Sequence, residues 1–120
     1  MENTITVTLQ PTDSGREYVT PHVLNLSSAN DAGKTITFDA IESDFGVTIP
    51  NAITLFNTSE DTLTYSIRAG NSDVTPTIKS GLTPDPETPE AGREYRVYCE
   101  ATGEYADKPD ASPPIIIIRP

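Results

Sequence analysis

Hydrophobic residues recur at every second position near the start of the chain. Ile5, Val7 and Leu9 share one face, and Thr4, Thr6 and Thr8 share the other. A period of two marks a strand with one face buried. Threonine suits the open face, because its β-branch favours extended backbone while its hydroxyl stays in water. Pro11 cannot donate to a ladder, so the strand is predicted to end at Gln10, with a turn over Asp13-Ser14-Gly15. Residues 19–27 form a second predicted strand, with His22, Leu24 and Leu26 on one face and Val23 and Asn25 on the other. After a turn-rich loop at 28–33, residues 34–40 alternate again: Ile36, Phe38 and Ala40 inward, Thr35, Thr37 and Asp39 outward. Residues 42–45 read as a polar bend with room for one helical turn, and 47–49 as a short strand stopped by Pro50.

The next unit, 52–68, reads as a hairpin. Ile53 and Leu55 define one arm, Asn57-Thr58-Ser59-Glu60-Asp61 the loop, and Leu63, Tyr65 and Ile67 the return. Gly70-Asn71-Ser72-Asp73 turns the chain, and residues 74–79 make a strand that Pro76 confines to a sheet edge. Pro84, Pro86 and Pro89, interleaved with acids, exclude helix and central strand. Residues 94–101 are the last strongly alternating strand, with Tyr95, Val97 and Cys99 on one side and Arg96, Tyr98 and Glu100 on the other. The tetrapeptide Gly15-Arg16-Glu17-Tyr18 returns as Gly92-Arg93-Glu94-Tyr95, a turn glycine leading into an aromatic-bearing strand each time.

No segment carries helical periodicity over ten residues. Seven or eight short strands separated by Gly, Pro, Asn and Asp predict an all-β fold, an antiparallel β-sandwich of immunoglobulin-like or jelly-roll-like kind, with a closed barrel as the alternative. The expected organisation is a sandwich domain over residues 1–107, followed at 108–120 by a Pro-rich lead and an Ile-rich C-terminal strand or arm.

Composition narrows the function. The chain has 120 residues, 18 acidic and 8 basic side chains, and a net charge of −10. Length fits one domain with its own core. The charge would repel a phosphate backbone, so no nucleic-acid partner is expected. The longest apolar run is the four isoleucines from Ile115 to Ile118, far short of a membrane-spanning helix, and no membrane partner is expected. Met1-Glu2-Asn3-Thr4 lacks the basic and apolar regions of a secretion signal.

Candidate chemistry is sparse. One Cys forbids an internal disulfide, and Cys99 with His22, the lone histidine, is too little for a zinc site. Cys99 alternates with Val97 and Tyr95 and reads as a small buried hydrophobe; His22, among Leu24 and Leu26, reads as structural. No nucleophile elbow, phosphate-binding glycine loop or His-Glu-x-x-His pair is present. Asp85, Glu87 and Glu90, or Glu42 and Asp44 with a carbonyl, are calcium candidates that lack the spacing that wraps one ion. Asn25-Leu26-Ser27 and Asn57-Thr58-Ser59 match the N-glycosylation triplet; Asn57 reads better as a loop residue satisfying the backbone. The expectation is therefore a non-enzyme with no catalytic residue, cofactor or metal.

Ile115, Ile116, Ile117 and Ile118 are the strongest β-forming and aggregation-prone segment, flanked by Pro113-Pro114 and Arg119-Pro120. They do not alternate, so both faces need cover. Either they are a central strand of the chain's own fold, or they form an arm that adds to a neighbour's sheet. On the second reading Ile115 to Ile118 and Arg119 are the partner-interaction residues, and those before Ile5 a lesser contact.

In the alternation of residues 4–10, the unit 52–68, the Pro84–Pro89 loop and the isoleucine tail, this acidic, Thr- and Pro-rich chain resembles the head decoration (cement) proteins of tailed bacteriophages. The resemblance implies a structural virion protein made in the host cytoplasm and carried on the capsid exterior. It would bind the major capsid protein as a trimer, or otherwise as a monomer, and stabilise contacts between capsid subunits. The unit 53–67 also resembles immunoglobulin-like modules of adhesins and carbohydrate-binding proteins. That alternative implies a glycan- or cell-surface-binding module; a phage tail or neck component is a third.

Overall fold

A computed structural model of the chain describes residues 4–10, 19–20, 23–85, 92–101, 103–105 and 114–119. In chain order the elements are β1 (Thr4–Leu9), β2 (Val19–Thr20), β3 (Val23–Ser27), β4 (Thr35–Ala40), β5 (Phe45–Ile49), a 3₁₀ turn (Ala52–Thr54), β6 (Leu63–Ile67), β7 (Ser72–Val74), β8 (Arg93–Glu94), β9 (Arg96–Cys99), β10 (Glu104–Tyr105) and β11 (Ile115–Arg119). The described residues contain no α-helix, and the fold is all-β. Three sheets form, with strand orders β2-β1-β4-β7, β10-β9-β5-β6 and β3-β11-β8.

The inward halves of the alternating strands meet in one core. Val7 and Leu9, Leu24 and Leu26, Ile36, Phe38 and Ala40, Phe45, Val47 and Ile49, and Val97 and Cys99 are all buried in it. Cys99 is a free, buried thiol, as its alternation with Tyr95 and Val97 predicts. The edge strand comes earlier than expected: β7 is Ser72–Val74, overlapping the residues read as a turn, and Pro76 follows it outside the ladder, where its missing N–H costs no ladder bond. The chain also passes between sheets: β8 pairs with β11, and after Tyr95 the same run continues as β9 against β5.

Two ladders depart from the antiparallel expectation. β1 runs parallel to β4, from Thr4 opposite Thr35 to Leu9 opposite Ala40. β11 runs parallel to β3, from Ile115 opposite Val23 to Arg119 opposite Ser27. Parallel neighbours need a long crossover, and both have one: β2 and β3 lie between β1 and β4 in the chain, and most of the chain separates β3 from β11.

The expected hairpin over 52–68 is replaced by a wider one. β6 pairs with β5, from Phe45 opposite Ile67 to Ile49 opposite Leu63. Between them the chain reverses at Asn51, in the left-handed region at φ 55°, and enters the 3₁₀ turn. The Ala52 carbonyl accepts from the Leu55 and Phe56 N–H groups, and the Ala52 N–H donates to the Asp61 carbonyl. Leu55 and Phe56 are adjacent and both buried, which a half-buried strand does not permit, and Ile53 is left outside. The single helical turn thus falls at 52–54, while 42–44 is a bend with Glu42 at φ 66°.

The isoleucine segment is the middle strand of its sheet, not a projecting arm. β3 occupies one edge along its length, and β8 occupies the other at Ile115 and Ile116. Ile116 and Ile118 enter the common core, so the core continues past residue 107 into the segment set apart as a lead and arm. Ile117 is also buried. Gly92 lies against this strand: a Cβ there would stand 2.8–3.0 Å from the Ile115 and Ile117 side chains. The glycine that opens the second copy of the repeated tetrapeptide is therefore what lets the chain approach β11. The first copy, Gly15 to Tyr18, lies outside the described residues.

Tyr95, at the crossing from β8 to β9, is 1% exposed and packs on Phe38 with ring centroids 6.0 Å apart. Its hydroxyl is buried with no hydrogen-bond partner among the described residues. Burial pushes its pKa far above the usual tyrosine range. An orphaned buried hydroxyl costs about 1–3 kcal/mol. Tyr95→Phe is therefore expected to stabilise the fold by about 1 kcal/mol at pH 7, read as a raised urea midpoint. The sign with pH follows. The unfolded phenol ionises near pH 10 while the folded one stays neutral. The unfolded state thus holds fewer protons above pH 10, and stability falls there. The Phe variant should lose less, and the gap between the two proteins should widen above pH 10. Part of the slope should survive, because Tyr65 is also raised, by burial and then by Asp73 and Glu60. An unchanged midpoint at both pH values contradicts this account.

Candidate binding face

The structure uses most of the sequence-flagged groups to hold itself together. Arg119 Nε donates to Asn25 Oδ1 at 3.2 Å, tying the end of β11 to β3. Ile115 to Ile118 have ladder partners within the chain, so a strand-addition role for them has no free edge where both neighbours are present. Asn57 donates from Nδ2 to the Thr77 hydroxyl at 2.8 Å and from its backbone to the Thr77 carbonyl. Of the calcium candidates, Asp44 accepts the Ala69 N–H at 2.8 Å. Glu87, Glu90 and His22 lie outside the described residues. Among the described residues no three His, Cys, Asp or Glu side chains gather to hold a metal ion.

Asp85 has a structural task that its place in the Pro/acid loop did not signal. Its N–H donates to the Ile118 carbonyl at 2.8 Å, and its Oδ2 accepts the Ile118 N–H at 2.8 Å. Both carboxylate oxygens also face Arg93 Nη1, at 3.0 and 3.2 Å. β8 pairs with β11 only as far as Ile116, and Asp85 serves the same edge two residues further on. The loop thereby closes an edge that would otherwise carry unpaired polar groups.

The outer face of the sheet β10-β9-β5-β6 carries a cluster of large side chains. Arg96 and Tyr98 of β9 point outward because Val97 and Cys99 point in, as alternation predicts. Tyr105 of β10 stands opposite Tyr98. The two rings meet edge to face with centroids 5.0 Å apart, and the Arg96 guanidinium lies 4.2 Å over the Tyr105 ring. Tyr105 is 42% exposed. Across β5 and β6 the same face carries only small side chains: Gly46 opposite Tyr98 and Ser66, and Thr48 opposite Arg96 and Thr64. Bulky rings thus form a wall along one flank, and glycine and hydroxyls form a low floor across the other two strands. At Ser66 the floor runs into a polar groove of about 500 Å³ lined by Ser66, Ile67, Arg68 and residues 70–73. The outward placement of Arg96 and Tyr98 was legible in the sequence. Tyr105 and the floor were not, because they join the face only through strand pairing.

No protein-family model matches the chain, and no curated protein matches it.

Proposed function

We propose that the chain is a non-enzymatic structural protein of a virion, a head decoration (cement) protein that binds the major capsid protein on the capsid exterior. In this reading the three sheets make an immunoglobulin-like or jelly-roll-like sandwich, and the chain acts as a trimer bridging capsid subunits. The observation that carries the reading is the use to which the described reactive side chains are put. Asp85, Asp31, Asp44 and Cys99 serve the ion pairs, the backbone amides and the core. What remains is surface, which suits a protein whose task is contact. Many weak contacts made by several linked copies add up to firm attachment. Because the isoleucine strand lies inside the fold, docking is by folded surface. The acidic exterior would meet basic patches on the capsid, giving binding that weakens with salt.

Purified chain should sediment with isolated heads of the encoding virus that lack it, saturably and at a copy number divisible by three. It should also raise the temperature at which the heads open. Labelling of tails instead of heads by an antibody to the chain, or no association with any particle, overturns the proposal.

A further inference from the structure

Among the described residues, nothing accounts for Gly46. It sits in the interior of β5, where glycine weakens a strand relative to a residue with a side chain. Its φ is not positive. A Cβ built there would touch the Tyr65 carbonyl and the Tyr98 Cβ at 3.9 Å, ordinary contact distance. Neither backbone conformation nor internal crowding requires it. A bare strand position that the fold does not need fits close approach by something from outside.

We propose that the outer face over β9, β5 and β6 is a binding site for a neutral saccharide. The site goes beyond the capsid-binding reading and does not depend on it. The chemistry of the face chooses the ligand. Tyr98 and Tyr105 offer apolar ring surface with polar tips, suited to a molecule that presents C–H faces and hydroxyls together. Arg96, Thr48, Thr64 and Ser66 offer donors and acceptors around the floor. The three strands β9, β5 and β6 span about 10 Å at the usual strand spacing, room for a short oligosaccharide lying flat over Gly46. No aliphatic side chain lies among the residues that form the wall and floor, which disfavours an apolar ligand. Charge disfavours an anionic one: Arg96 is the one cation among the residues named for the wall and floor, on a molecule of net charge −10. The groove beyond Ser66 extends the polar surface with Arg68, Asn71, Ser72 and Asp73 for a longer chain.

The test is an array of neutral hexose and N-acetylhexosamine oligosaccharides, with sialylated and sulfated ones alongside. The best binder is then titrated by calorimetry. Tyrosine fluorescence gives a second signal in this Trp-free chain. Saturable binding to neutral saccharides is expected. Tyr105→Ala should weaken it tenfold or more. Gly46→Leu should weaken it as much by filling the floor. The Leu variant keeps the wild-type rings, which makes it the control should Tyr105→Ala disturb the β9–β10 pairing. Preference for acidic saccharides, binding to none of them, or wild-type affinity in a folded Gly46→Leu variant overturns the proposal. Head binding is scored separately, so loss of one activity leaves the other interpretable.

Discussion

A chain ending at residue 113 is expected not to fold. The shortened protein should show no cooperative thermal transition and no dispersed amide spectrum. The cause is the position of β11. It is the middle strand of its sheet, so its loss strips ladder partners from β3 along its length and from β8. Ile116 and Ile118, 1% and 0% exposed, leave the core with it. Burying one such side chain contributes about 1.5–3 kcal/mol. Two of them, with the ladder bonds, are comparable with the roughly 5–15 kcal/mol that holds a whole domain together. Ile118→Ala is the graded form, expected to cost about 2–5 kcal/mol. If the shortened chain unfolds cooperatively with a midpoint near that of the full chain, β11 is dispensable and the isoleucines are free to serve a partner.

Asp85→Ala should cost about 2–3 kcal/mol, and more of that loss should come from Ile118 than from Arg93. The Arg93 side chain is about one-third exposed, and an ion pair in such a setting is worth about 1 kcal/mol or less. Ile118 is fully buried, and without the carboxylate its N–H loses its acceptor, Oδ2. Leaving a buried donor unpaired costs about 1–3 kcal/mol. Asp85→Asn keeps an oxygen for that N–H and drops the charge, so it should recover more than half of the loss. Amide hydrogen exchange checks the assignment directly: Ile118 should lose protection in the Ala variant and keep it in the Asn variant. Equal cost for both substitutions would move the weight to the Arg93 pair.

These two cases show what alternation conveys and what it withholds. β1 and β4 were legible because each side chain declares its face: Val7 and Leu9, Ile36, Phe38 and Ala40 are all inside. Direction was not legible, since a strand alternates in the same way whether its neighbour runs with it or against it. The 52–56 segment misled because Ile53 and Leu55 mimic a strand; the contrary signal was Phe56 beside Leu55 after Pro50-Asn51. Asp85 was invisible as a clasp because its partner Ile118 is 33 positions away. On the candidate face, Arg96 and Tyr98 could be placed outward from β9 alone. Gly46 gave no sign until Tyr98 and Ser66 were found on either side of it.

The union of β3 with β11 also fixes an order of events during synthesis. Asn25 and Arg119 are joined across 94 positions of chain. Until residues 115–119 have been made, β3 has no neighbour on that side and the core lacks two of its isoleucines. The growing polypeptide therefore waits, partly assembled, for β11. Contacts closed over so long a loop form late and slowly. A nascent chain paused before residue 115 would be a ready substrate for a chaperone or a protease, and one extended past residue 119 would become resistant to both in one step.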